Sequence, residues 1–537
     1  MLLLFFLVFV IFSQINGIFT HCEQNPLCRL SNDSTIMICD SIFGSQNESS
    51  LSPIISCLPT AKIYLFRNFE QIPSHTFQNV TFPENQSFII KLINISIIDT
   101  EAFSNSLIIP RSSKLSIEIG ELDSLTSIRL KSNAFNNIKI DHLHFFNFND
   151  FNGHSIFDTD CFGNNLEINK LTFEQCNIIG FSNIISKTVN VYHLSIKSSS
   201  NLIQLTDKNL PLFLSTSKSF EISNTSLEII NPHTFQAWSL VLEELIISNN
   251  LNFEIFPLMI IDGVLMKLHK LDLSYNSIKI LDGNYDWFAY SYTKYLLLRK
   301  QQLDLFLKTN ILKTLTFLEK IDFSEGFISD DNNNDDLIKN YFPNMSHLNS
   351  IDISYTNLSE NMIIDLLTSI SKIANHFITI GLYGHTLSNK NFCSYYKIFK
   401  NAPNLLQLEL DKTHECNCVI DLFYSNQLRE EITNYSLLQP TCLFNSTRMP
   451  CNIEKQLSLS NCTIGGQHVD ESNTDSKVGN YAFGAVVAVL TIVLLILLSL
   501  GFGVVYQIRR RRLTDLDMEQ PVENPLNAII EERLQNK

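Results

Sequence analysis

Residues 268–278 read LHKLDLSYNSI, with Leu268, Leu271, Leu273, Asn276 and Ile278 at its first, fourth, sixth, ninth and eleventh places. From Lys270 to Ser274 polar and apolar residues alternate. Such a run is a short half-buried strand, with Leu271 and Leu273 facing one way and Lys270, Asp272 and Ser274 the other. The asparagine falls where the strand ends, and a buried amide there can satisfy backbone groups of the following turn. The arrangement recurs at 242–250 (LEELIISNN), at 348–356 (LNSIDISYT, threonine in the ninth place) and at 318–328 (LEKIDFSEGFI, glycine there).

Taking the fourth place as an anchor and walking outward predicts a strand at each of Ile63, Ile90, Leu115, Leu143, Leu171, Leu194, Phe220, Leu245, Leu271, Leu296, Ile321, Ile351, Ile380 and Leu408. The successive spacings are 27, 25, 28, 28, 23, 26, 25, 26, 25, 25, 30, 29 and 28 residues. Period and pattern together resemble the leucine-rich-repeat family, whose units run to ~20–29 residues. The resemblance implies an α/β-type repeat solenoid, a horseshoe of about 14 units over residues 61–412. Cys176 stands in the ninth place of its own unit, where that family also takes cysteine. Phe77, Phe103, Phe135 and Phe235 follow short polar stretches and are expected to fill the convex side of the core. One unit cannot bury its own apolar face, so stability comes from stacking.

The open ends of such a stack need caps. Cys22, Cys28, Cys39 and Cys57 precede the first unit, within residues 21–60; four cysteines allow three pairings, and none is chosen. Cys416, Cys418, Cys442 and Cys462 follow the last unit, within residues 413–465, and resemble the C-terminal cysteine cap of extracellular leucine-rich-repeat proteins. That resemblance implies pairs Cys416 with Cys442 and Cys418 with Cys462. The partners of Cys161, Cys176, Cys393 and Cys451 stay open, Cys393 being the candidate for Cys451.

The chain ends set expectations about topology. Met1 is followed by an apolar run from Leu2 to Phe12, too short for the ~20 residues of a membrane span. Small and polar residues follow, which predicts a secretory signal peptide over residues 1–20, cleaved between Gly17 and Thr20. After a linker at 466–480, Tyr481 to Tyr506 carries no charge and is long enough to cross a bilayer. Arg509, Arg510, Arg511 and Arg512 follow at once, which puts a short tail, 507–537, in the cytosol. All eleven Asn-x-Ser/Thr sequons, at Asn32, Asn47, Asn79, Asn85, Asn94, Asn224, Asn344, Asn357, Asn434, Asn445 and Asn461, lie between the two apolar runs. So do all twelve cysteines, an even number that suits an oxidising compartment. The expectation is a glycosylated single-pass type I protein of the plasma membrane.

The formal charge of −15 argues against a nucleic-acid partner. No G-x-S-x-G, H-E-x-x-H, phosphate-loop or kinase motif is present, so no catalysis, cofactor or metal is expected. His414, Cys416 and Cys418 are closely enough spaced to ligate zinc, but a disulfide cap explains them better. The acidic run 330–336 lacks the glycine and glutamate of a calcium loop and reads as a solvated insertion. Function then falls on the concave strand face, where Glu221, Asp272, Tyr295, Arg299, Asp322, Asp352 and Glu409 are the expected contacts for an extracellular or cell-surface protein. Gly484 and Ala488 offer a small-residue step through which the membrane helix could pair with a co-receptor. Two roles fit: a receptor or adhesion protein, or a co-receptor in innate pattern recognition or signalling that works through a partner's cytosolic domain.

Overall fold

A computed structural model describes residues 27–425, except for 42–60, 122–127, 149–156, 179–188, 207–209, 211–215, 261–265, 284–291, 330–344, 411–416 and several breaks of three residues or fewer. One 16-stranded sheet runs through it, in strict chain order. Its strands are β1 (Cys28–Leu30), β2 (Ile36–Asp40), β3 (Ile63–Arg67), β4 (Ser87–Ile93), β5 (Lys114–Gly120), β6 (Lys139–Phe146), β7 (Glu167–Glu174), β8 (Asn190–Lys197), β9 (Ser219–Ser223), β10 (Glu244–Ser248), β11 (Lys270–Asp272), β12 (Tyr295–Leu297), β13 (Lys320–Asp322), β14 (Ser350–Asp352), β15 (Ile378–Gly381) and β16 (Leu406–Glu409). Only β1 is antiparallel to its neighbour; every later pair is parallel. A sheet that gains one parallel strand per 23–30 residues, always beside the last, is a repeat solenoid.

Twelve of the fourteen anchors stand in one column. Ile90 registers with Ile117, and from Leu143 onward each anchor faces the next as far as Leu408. Two anchors need correction. The column member on β3 is Tyr64, which is buried, and not Ile63, which is half-buried on the other face. On β5 it is Ile117, two residues beyond Leu115. Leu115, Ile117 and Ile119 all point inward and are buried, so alternation alone cannot choose among them. The corrected spacings are 26, 27 and 26 residues from Tyr64 to Leu143, more even than the sequence suggested.

Behind the sheet the phenylalanines form a continuous stack. Phe77, Phe103 and Phe135 are buried, with ring centroids 4.5 and 5.1 Å apart. Phe162 extends the row at 5.9 Å; it sits in DCFGN (160–164), a variant of the NAFNN at 133–137. Phe235 closes a second cluster with Phe220 and Trp238. In the later, longer repeats helices take over the backing. Helix α1 (Glu360–Ile373) starts at Ser359, whose side chain accepts from the Met362 N–H, and buries Ile363, Leu366, Leu367 and Ile370. Helix α2 (Phe392–Asn401) buries Phe392, Tyr395 and Ile398.

Eleven strands, β3, β4 and β6 to β14, leave the sheet through a left-handed residue four places after the column member: Asn68, Asn94, Asn147, Gln175, Ser198, Asn224, Asn249, Tyr275, Lys300, Glu325 and Tyr355 all have φ between 53° and 61°. Gly384, at φ 79°, fills the same corner after β15. The next place, one further on, is the asparagine position. Asn250 and Asn276 are buried there, and the Nδ2 of Asn276 donates to the Ile247 and Leu273 carbonyls at 2.6 and 2.7 Å. Its Oδ1 accepts from the Asn250 N–H at 2.9 Å, so each repeat's amide also holds the previous repeat. Gln301 continues this, its Nε2 donating to the Leu273 and Asn276 carbonyls. Cys176 sits in the same column with its Sγ 3.5 Å from the Phe145 carbonyl. Toward the N-terminus the column turns apolar, through Phe148, Ile95 and Phe69, all buried.

Candidate binding face

The face of the sheet opposite the leucines carries the expected contact residues. The residue one after each anchor forms a column in which Glu221, Ile246, Asp272, Leu297, Asp322, Asp352, Gly381 and Glu409 are successive register partners. The structure therefore brings Glu221, Asp272, Asp322, Asp352 and Glu409 onto one line. Tyr295 stands on β12 one place before its anchor and is 40 % exposed. Arg299 follows β12 and reaches back to Asp322.

The acidity of this column is largely satisfied within the protein. Asp322 is fully buried. Its Oδ2 accepts from the Arg299 Nε at 2.7 Å, and its Oδ1 accepts from the Ser324 N–H and Oγ at 3.1 and 2.7 Å. The Asp322 hydrogen bond raises the Arg299 pKa. Asp272 and Asp352 each accept from the backbone N–H two residues ahead, at Ser274 and Ser354, at 3.0 and 2.9 Å. An aspartate in D-x-S at a strand exit is thus a local cap for the turn. It also explains Gly381: a Cβ there would meet the Asp352 carboxylate at 2.5 Å. Glu221 accepts from Ser195, Ser223 and Lys197 at 2.8, 3.2 and 2.9 Å. Burial opposes its charge, but the bonds from Lys197 and Ser195 outweigh that and lower its pKa.

Sequence reasoning did not single out the histidines of β6. His142 and His144 stack on the exposed face with centroids 5.3 Å apart and planes 8° from parallel. The Nε2 of His142 lies 2.9 Å from the Thr172 hydroxyl, whereas that of His144 is 3.1 Å from the Glu174 carboxylate without making a hydrogen bond. Burial lowers both pKa values, that of His142 to about 4. The alternation in KIDHLHFF (139–146) was the available signal, hidden because these repeats match the consensus poorly.

A cavity of about 330 Å³ opens beside the left-handed corners of the middle repeats, between Leu251, Tyr275, Lys279, Lys300, Gln302 and Phe327. Among the described residues no cluster of histidine, cysteine, aspartate or glutamate is arranged to hold a metal.

Four sequons are described. Asn85, Asn224 and Asn357 are exposed and Asn94 is half-buried, its Nδ2 donating to the Asn68 Oδ1 at 3.0 Å. Asn32, Asn47, Asn79, Asn344, Asn434, Asn445 and Asn461 lie outside the described residues. Cys28 and Cys39 form a disulfide that joins β1 to β2. Cys161 and Cys176 are free and buried, and burial pushes the Cys176 thiol up to about 12. Cys393 and Cys418 are disulfide-bonded. Cys22, Cys57, Cys416, Cys442, Cys451 and Cys462 lie outside the described residues, as do residues 1–20, where a signal peptide is expected, the acidic run 330–336 and the apolar run 481–506. Among the described residues no helix is long and apolar enough to cross a membrane.

A column of pleated side chains bounded by turn corners, repeated strand after strand, fits the leucine-rich-repeat pattern. The fold is a repeat solenoid. No family model and no curated protein matches the chain. Among solved structures, the crystal structure of the mouse RP105/MD-1 complex is similar at a TM-score of 0.35 and 12% identity, covering 77% of this chain and 83% of that one. A likeness this distant carries no argument about ligand or partner, and the assignment of fold rests on the strand register and the repeating corners.

Proposed function

We propose that this chain is a cell-surface recognition protein, a receptor or adhesion molecule, that binds an extracellular protein on the exposed strand face and catalyses nothing. The observation that carries the reading is the exposed face itself, a ladder of in-register strands whose polar groups are mostly braced by neighbouring repeats. Such a face is rigid before any partner arrives, and a preorganised surface loses little entropy on binding. The signal-peptide, sequon and apolar-run patterns support placement at the plasma membrane with the repeats outside the cell.

Within the face, Tyr295, Ile246 and Leu297 are the contact residues to expect, since tyrosine and apolar side chains anchor protein interfaces better than charges already paired. Asp322 is a poor reporter because it is buried against Arg299. The test expresses the full chain on cells and probes it with a panel of tagged extracellular proteins. A protein that binds wild type and loses at least tenfold in affinity with Tyr295→Arg supports the reading. Binders that all ignore Tyr295→Arg and Ile246→Arg would place recognition elsewhere on the chain.

A further inference from the structure

A second surface lies along the edge where chain enters the strands. Leu240, Met266, Tyr292 and Phe317 occupy the turns that lead into β10, β11, β12 and β13, and they are 65, 53, 53 and 39 % exposed. His347 extends the row to β14: its ring stacks on Phe317 at 6.1 Å, and Phe317 packs against Tyr292 at 5.0 Å. Apolar side chains exposed singly are ordinary on a protein surface, but Tyr292, Phe317 and His347 touch in series across three repeats, with Leu240 and Met266 exposed on the two turns before them, and such a row marks an interaction site.

Beside the row runs the first rung of the strand ladder. Glu243, His269, Lys294 and Glu319 each donate a backbone N–H to the carbonyl of the preceding member, beginning at Lys218. The five residues therefore form one straight column: Lys218, Glu243, His269, Lys294, Glu319. Lys218 pairs with Glu243 at 3.1 Å and Lys294 with Glu319 at 2.6 Å. Read in order, the charges run plus, minus, histidine, plus, minus. Reversed, they run minus, plus, histidine, minus, plus. Two copies laid antiparallel and centred on His269 would set Lys218 against Glu319 and Glu243 against Lys294, every contact attractive. The same axis would set Leu240 against Tyr292 and Met266 against itself. Parallel copies in register would instead oppose like charges throughout.

We propose that this edge binds a second copy of the chain, antiparallel, about a two-fold axis at Met266 and His269. An isologous contact requires a self-complementary patch, and this column is self-complementary in one orientation only. Five strands at about 4.8 Å give a ridge of ~20 Å along which the charges alternate. The Tyr295 hydroxyl donates to the Glu319 Oε2 at 3.5 Å, so the column touches the exposed face; Met266, which takes no part in that contact, separates the edge from the exposed-face reading.

The test uses the full chain with two different tags, solubilised and assayed for co-capture. One variant inverts the whole column: Lys218→Glu, Glu243→Lys, Lys294→Glu and Glu319→Lys. It keeps both ion pairs within each chain, so folding is preserved. Expected are self-association of wild type, self-association of the inverted chain, and at least tenfold weaker capture between the two. Any contribution from residues 481–506 is common to all three mixtures. Equal capture in every mixture would overturn the proposal, and so would stronger capture in the mixed pair, the signature of parallel packing. Met266→Asp with Tyr292→Asp should abolish self-association while leaving the melting temperature in place. Monomeric wild type overturns it outright.

Discussion

Asn276 binds three backbone groups of two repeats with one amide. Asn276→Ala would take this partner from the Asn250 N–H and the Ile247 carbonyl, at about 1–3 kcal/mol for each group left unsatisfied, while the Leu273 carbonyl keeps Gln301. We expect a loss of about 2–5 kcal/mol in urea denaturation; a loss near zero would mean that water replaces the amide. This role was legible in LHKLDLSYNSI, because a polar residue inside an apolar pattern must have a partner. His142 was not legible. Burial, and after it the charge of His144, holds its pKa down to about 4 from the ordinary 6.5. As pH falls below about 6.5 the unfolded chain takes up a proton that the folded chain refuses, so stability declines from there toward pH 4. Lys170 adds to the depression, whereas Glu118 and Asp141 temper it. His142→Gln should flatten that stretch of a melting-temperature profile, and an unchanged slope would trace the decline to other groups.

At the level of elements, the strand ladder was readable wherever the consensus is strong and slipped where it is weak. At β5, Leu115, Ile117 and Ile119 satisfy the pattern equally, and only the register with β4 and β6 selects Ile117. At β3 a buried tyrosine took the place expected of an aliphatic residue. The phenylalanine positions were legible as a motif, but not their mutual stacking, which depends on how far each repeat advances. Phe103 has ring neighbours on both sides, Phe77 and Phe135. Phe103→Ala removes both stacks and opens a void, with a loss of about 3–5 kcal/mol expected from chemical denaturation. The exposed-face acids show the opposite lesson: their positions were right, while their use as turn caps depends on Ser274, Ser324 and Ser354 two residues on.

For the whole molecule, the sheet has ends, and the first is closed by the antiparallel strand β1, tied to β2 by Cys28 and Cys39 across 11 residues. Closing so short a loop is worth roughly 3 kcal/mol on the loop-entropy account. Cys28→Ser with Cys39→Ser should raise hydrogen exchange in β2 and β3 first and leave β10 to β13 unchanged; uniform acceleration would show that the solenoid unfolds as one unit. The even cysteine count pointed to disulfides, and this pairing came only with the strands.

The single-file sheet also decides how the protein answers to tension. Its hydrogen bonds run along the direction in which repeats are added, so a pull on the two ends loads one strand boundary at a time and peels the ladder instead of shearing it. Each unit of about 26 residues, drawn out at ~3.5 Å per residue, releases ~90 Å of slack. Between two anchored points this chain would behave as a stepwise extensible tether, yielding one repeat after another at low load.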